Sequence, residues 1–267
     1  RPLPELPFDI EFTEADIQRA IDSFTEVFPN RTDILDADVT NLEEPATLLG
    51  MLTRALRTKQ STRWTYDDKL KRYRDLDTGR MLSASAVIGM RDDYGDARQQ
   101  VATDLAADLV SGTIDVQQYV LRMRDEIKTT YLAEYMLGKG GRHNMTQADY
   151  GRLGAMLKDQ YGYLQRFGQE IAAGNLSEAQ IAARGRMYFS SAGQAFERAR
   201  AAGYNIELPA MPKDGTSECL TNCLCNWRLV DRGDYVEATW RLSAVEHCPT
   251  CEQRGRDWAP LIVPKLQ

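Results

Sequence analysis

The sequence predicts a mainly α protein: an elongated helical bundle with a small β-hairpin before it and a C-terminal cysteine-rich, zinc-ribbon-like module after it. Three observations carry this prediction. Beyond Gly89, more than a hundred residues repeat apolar side chains at helical spacing, divided by cap signals. All five cysteines lie between residues 219 and 251, and the 218 residues before them contain none. β-Branched and aromatic residues gather around Asp/Gly turns in only two short places. At 267 residues the chain is long enough to bury a core without covalent staples.

Residues 1–60 read as an acidic N-terminal arm with helices. "RPLPELPFD" is extended. Phe12 to Phe28 follows as an amphipathic helix, capped by Thr13 and Asp16 and apolar through Ile17, Ile21 and Phe24. The first 50 residues hold twelve carboxylates against three arginines, and Arg54 to Arg91 holds ten basic residues against four aspartates. Such a contrast pairs within one chain or between copies, so self-association is expected; the alternative is two solvated faces. The arm is expected to contact another protein rather than cover its own bundle. No signal peptide and no apolar run of membrane-spanning length is present. The first residue is Arg1 rather than Met, which points to processing or trimming.

Residues 61–90 form the basic β-hairpin segment. Tyr73 lies on one arm, Asp77-Thr78-Gly79 makes the turn, and Met81-Leu82 returns. Arg72, Arg74 and Arg80 project toward phosphate or an acidic protein surface, and the residue types do not choose between them. The helical body spans residues 91–203. One helix runs from Arg91 to Val110 and ends at Ser111-Gly112. Val116, Val120, Met123, Ile127 and Tyr131 stripe the next. "GKGGR" (138–142) breaks it; with no preceding strand and no Gly-Lys-Ser/Thr it is a flexible connection rather than a phosphate loop. Thr146/Asp149 and Ser177/Gln180 cap two further helices. Tyr150, Leu153, Leu157, Tyr161, Leu164, Phe167 and Ile171 face the core from the first. Ile181, Tyr188 and Ala192 do so from the second.

Residues 204–267 make the cysteine-rich module. Cys219-x3-Cys223-x-Cys225 is followed 22 residues later by Cys248-x2-Cys251. An odd cysteine count in a chain of this size argues against a disulfide framework, and the spacing of the pairs favours tetrahedral zinc. A disulfide with a free thiol and a reactive Cys-x-x-Cys are the competing readings. Cys223, Cys225, Cys248 and Cys251 are the preferred four ligands, and Cys219 is the first substitute. His247 is an alternative ligand or a neighbour of the ligands. Between the groups, Asp231 to Asp234 turns a hairpin whose second strand is Val236 to Leu242. One zinc per chain, closed and structural, is expected.

Several functions are disfavoured. The module carries seven basic residues against nine carboxylates, so direct nucleic-acid binding lacks its electrostatic footprint. Glu246 stands beside the zinc cluster, but the His-x-Glu and Pro-Cys-x-x-Cys elements of a deaminase are missing. His143 and His247 are the only histidines, and no nucleophile assembles around them. No enzyme is expected.

"RYRDLDTGRMLS", "IDVQQYVLRMRDEIKTTYLAEYMLGKGG", "DYGRLGAMLKDQYGYLQRFGQEIAAGNLSEAQ", "CLTNCLCNW" and "EHCPTC" occur in this order. Over roughly residues 66–261 this order resembles the minor head, or head morphogenesis, proteins of tailed bacteriophages, the broad Mu F-like group. Two cysteine groups in place of one short cluster, and the acidic arm, depart from that pattern. The resemblance implies a virion structural protein near the portal or capsid, assembled in the host cytoplasm. Its partners would be the portal or major capsid protein, its role head assembly and DNA packaging or ejection, and it would have no active site. The other class open to the sequence is a zinc-dependent cytoplasmic enzyme or regulatory binding module.

Overall fold

The computed structural model describes residues 10–31, 34–39 and 64–266. The extended opening and residues 40–63, on which part of the N-terminal reading falls, lie outside these. Six α-helices and two small three-stranded sheets make up the described chain. No described helix is long and apolar enough to cross a membrane.

Helix α1 (Glu14–Val27) starts at the expected cap. The Thr13 backbone N–H donates to Asp16 Oδ2 at 2.8 Å, and the Asp16 N–H donates back to Thr13 Oγ1 at 3.3 Å. Lys128 Nζ donates to the same carboxylate at 2.7 Å. Burial opposes ionisation of Asp16, but Lys128 and Thr13 outweigh it and hold the carboxyl near 2. Ala20, Phe24, Ile34 and Leu35 are buried in the main core. The described part of the acidic arm therefore covers its own bundle, contrary to expectation. Its apolar face is wide enough to bury, and its charge is answered by Lys128 and Arg142 within the chain.

Strand β1 (Asp38–Val39) runs parallel to β2 (Trp64–Asp67), which pairs antiparallel with β3 (Arg72–Asp75). The expected turn at 77–79 exists, but its return makes only one bridge, Arg74 to Met81. β3 pairs mainly with β2 because that places Tyr66 and Tyr73 edge to face, 5.2 Å apart, over the bundle. Two of the three arginines of this segment are engaged internally. Arg72 donates to the Leu82 carbonyl, and Arg74 reaches Asp67.

The body holds α2 (Ala84–Val110), α3 (Val116–Lys139), α4 (Gln147–Ala172) and α5 (Glu178–Gly203). α2 begins at a Ser83 cap, earlier than expected. α3, α4 and α5 each open on a reciprocal capping box: Asp115/Gln118, Thr146/Asp149 and Ser177/Gln180. α5 packs against both α2 and α3. Ala192, Ala195 and Ala199 keep its buried face small enough for that approach. α1 and α4 lie against α3.

The "GKGGR" segment is seated rather than a loose connection. Gly140 has φ +96°, and a Cβ there would stand 2.4 Å from the Tyr66 ring. Gly141 has φ +105°, and its Cβ would meet the Ala37 carbonyl at 2.4 Å. Both glycines join the end of α3 to the first sheet. Gly140→Ala is expected to cost about 2–4 kcal/mol, combining left-handed strain with overpacking. Chemical denaturation monitored by helical circular dichroism measures it.

The C-terminal module is a meander of β4 (Asn226–Asp231), β5 (Tyr235–Arg241) and β6 (Leu261–Pro264), with α6 (Pro249–Asp257) between the last two strands. It docks on the end of α5. Arg200 donates to the Trp227 carbonyl at 2.9 Å, and Trp227 Nε1 donates to the Ala210 carbonyl at 3.0 Å.

Candidate metal centre

Three short pieces of chain bring the cysteines together. Cys219 precedes a 3₁₀ turn, Leu220–Asn222, which swings the backbone so that Cys223 follows in extended conformation. Cys223 and Cys225 are two apart on that extended run, so both point inward, and both are buried. Cys248 is the N-cap of α6, and Cys251 lies in its first turn. This end of the module differs from the two-knuckle ribbon expected. The second cysteine pair sits on a helix N-terminus, where backbone N–H groups and the helix dipole favour thiolate over thiol.

The sulfur separations are specific. Cys219 and Cys251 are 3.8 Å apart, Cys223 and Cys251 3.6 Å, and Cys219 and Cys248 3.7 Å. A disulfide needs about 2.05 Å. Thiolates about 2.3 Å from a tetrahedral zinc stand about 3.8 Å from each other. The sulfurs thus lie at the spacing of ligands around an ion. They form two compact triads, Cys219/Cys248/Cys251 and Cys223/Cys225/Cys251, each with all three ligand atoms within 4.8 Å. All five predicted cysteines are brought together, and Cys251 belongs to both triads. The preferred set of Cys223, Cys225, Cys248 and Cys251 takes members from each triad.

The thiols of the cluster are shifted in opposite directions by one another. The Cys223 thiol is held down at about 5, first by a hydrogen bond from the Cys225 thiol and then by the Cys225 backbone N–H and the Cys251 thiol. Cys225 and Cys251 are pushed far up. For Cys225 the hydrogen bond to Cys223 is the largest cause; for Cys251 it is burial. Burial likewise raises Cys219, whereas Cys248 is held below its ordinary value, burial being outweighed by hydrogen bonds from the Cys251 and Cys219 backbones. One ionised sulfur therefore suppresses ionisation of its neighbours. A divalent ion removes that conflict by neutralising several thiolates at once.

His247 stands at one end of the cluster. Its Nδ1 is 3.9 Å from Cys225 Sγ, and its Nε2 lies 3.0 Å from the Ser243 carbonyl oxygen. The carbonyl can only accept, so Nε2 carries the proton and Nδ1 keeps its lone pair. This is the arrangement in which histidine ligates a metal. The sequence marked His247 but held no sign of the carbonyl that orients it. Glu246 is exposed and belongs to neither triad. His143 is remote from the cluster and pairs with Asp36 at 3.2 Å.

Behind the sulfurs lies the module's core. Trp227 and Trp240 pair across β4 and β5 with ring centroids 5.2 Å apart, and Trp258 stacks on Trp227 at 5.5 Å. Arg254 of α6 covers both Trp240 and Trp258. Comparison with family models, with curated proteins and with solved structures finds no match to this chain.

Proposed function

We propose that this chain is a virion structural protein of the tailed-phage minor head class, whose C-terminal module is folded by a structural zinc centre. The observation that carries the reading is the convergence of two sequence-distant cysteine groups at zinc-ligand spacing, behind a helical body in the order that the head-protein resemblance describes. The centre sits on the module's own core, and its best-buried ligands, Cys223, Cys225 and Cys251, offer no approach to a substrate. That favours a folding role over catalysis. The partner would be the portal or major capsid protein. Among the described residues the arm packs on its own body, and the module and the outer faces of the bundle are the surfaces proposed for that partner.

Mass spectrometry of purified particles, with co-expression beside the portal protein, tests the virion role. The chain is expected in particles at low copy number and in a complex with portal or capsid protein. Its absence from particles, or metal-dependent turnover of a small substrate by the purified chain, would favour the enzyme or regulatory-module reading.

A further inference from the structure

Resting on the zinc reading above, we infer that the centre holds two divalent ions bridged by the Cys251 thiolate. The five sulfurs form two triads that meet at Cys251, with His247 beside one of them. Cys248 is 3.7 Å from Cys219, Cys219 is 3.8 Å from Cys251, and Cys251 is 3.6 Å from Cys223. Cys223 is within 4.8 Å of Cys225, and Cys225 is 3.9 Å from His247 Nδ1. One tetrahedral ion draws four ligands to about 3.8 Å from each other and leaves the rest outside. Two triads that share Cys251 match the faces of two adjoining tetrahedra that share a corner.

The two halves have different character. The inner ion takes Cys223, Cys225 and Cys251, all buried; His247 Nδ1 stands 3.9 Å from Cys225 Sγ, outside that compact triad, and would swing in to supply the fourth ligand. His247 is oriented for this by its hydrogen bond to Ser243, which turns Nδ1 toward its hydrogen-bond partner, Cys225 Sγ. The outer ion takes Cys219, Cys248 and Cys251. The first two are only partly buried, so this half lies nearer the surface of the module.

Charge points the same way. One divalent ion on four thiolates leaves a net charge of about −2 and a fifth thiol with no ion to bind. Two ions on five thiolates and a neutral imidazole leave about −1, spread over a larger volume. Less uncompensated charge is then buried against Trp227 and Trp240.

The test uses the full chain, purified under reducing conditions, loaded with Zn²⁺ and desalted. Elemental analysis is expected to find two zinc ions per chain. In a Co²⁺ titration the thiolate-to-cobalt absorption should rise to two equivalents. Cys225→Ser combined with His247→Ala should retain one ion, as should Cys219→Ser combined with Cys248→Ser. Helical circular dichroism confirms that the body is folded in each variant. A wild-type chain that saturates at one ion, with His247→Ala unchanged, overturns the bridged pair and leaves a single-zinc centre standing. A chain that binds no zinc or cobalt overturns both readings.

Discussion

Metal removal is expected to unfold the C-terminal module while leaving the helical body intact. The buried core of the module is small: Ile206, Met211, Trp227, Leu229, Val236, Ala238, Trp240 and Val263, with Ala201 contributed by the end of the body. Three buried cysteines form one wall of that core. A core of this size is marginal alone. Structural zinc sites supply on the order of ten kcal/mol to folding, more than such a core provides. Without the ion, the thiols must return to the protonated form while buried, and α6 loses its attachment to the 3₁₀ turn at residues 220–222. Chelation, or Cys251→Ser, should therefore speed protease cleavage between residues 216 and 257 by more than about 100-fold, since cleavage follows the population of the open form. The helical signal of α2 to α5 should fall little. The Trp227–Trp240–Trp258 cluster supplies a second readout, because its fluorescence should shift toward that of solvated indole. Equal cleavage rates with and without chelator would show that the sulfurs do not hold the module together.

The sequence showed this centre clearly in one respect and poorly in another. The cysteine spacing identified every sulfur, because tetrahedral ligation needs pairs a few residues apart and a chain without other cysteines offers no decoys. The local backbone was less legible. "CPTC" looks the same whether it turns a knuckle or opens a helix. Pro249 at the first helical position and Cys248 at the cap decide for the helix, and that choice depends on what α6 packs against: Leu242 lies so close over Gly255 that a Cβ there would stand 3.1 Å from its side chain. The third strand, β6, was hidden for a similar reason. Leu261 to Pro264 is too short to announce a strand, and it exists because β5 presents a free edge from Tyr235 to Ala238.

In the body, periodicity and caps located every long helix, since Thr146/Asp149 and Ser177/Gln180 are local signals that tertiary structure did not override. What failed was the reading of glycine and charge. "GKGGR" was taken as a loose connection because glycine in a sequence signals freedom, whereas Gly140 and Gly141 are used for close approach to Tyr66 and Ala37. The charge contrast predicts that the acidic arm pairs with the basic segment, within the chain or between copies; the described arm is answered within the chain, but by Lys128 and Arg142 of the body, while Arg74 pairs with Asp67 of its own segment. The largest omission was a buried charge cluster among α2, α3 and α5. In a chain with 39 acidic and 33 basic residues, nothing in the sequence singled out Arg91, Glu134 and Glu197.

Glu197→Ala is expected to be among the most destabilising substitutions in the bundle. Glu197 is fully buried, and Arg91 is only 1 % exposed. Arg91 Nη1 donates to Glu197 Oε1 at 3.1 Å, and Arg200 Nη1 donates to Glu197 Oε2 at 2.8 Å. Both guanidiniums also lie 5.5 Å from the centre of the Phe196 ring. Asp92 holds another edge of Arg91 at 2.8 Å, but it is one-third exposed and cannot replace the buried partner. Glu134 cannot replace it either. Burial pushes its carboxyl up, against the pull of Arg91 and Lys213, which weakens it as a counter-charge for Arg91. Removing Glu197 leaves a buried cation short of its counter-charge, and breaking such a pair costs about 3–5 kcal/mol. For a body of this size that lowers the melting temperature by about 6–20 °C. The same change should loosen the module, because Arg200 links Glu197 to the Trp227 carbonyl. Glu197→Gln keeps the shape and a hydrogen-bond acceptor for Arg91, and should lose less. Replacing the pair together, Arg91→Met with Glu197→Leu, should recover much of the loss, since the penalty arises from the unpaired charge rather than from the missing pair. Thermal denaturation of the three variants at pH 7 checks the order. If Glu197→Ala melts within about 2 °C of the parent chain, which is less than 1 kcal/mol at this size, the buried pair does not hold α2 to α5.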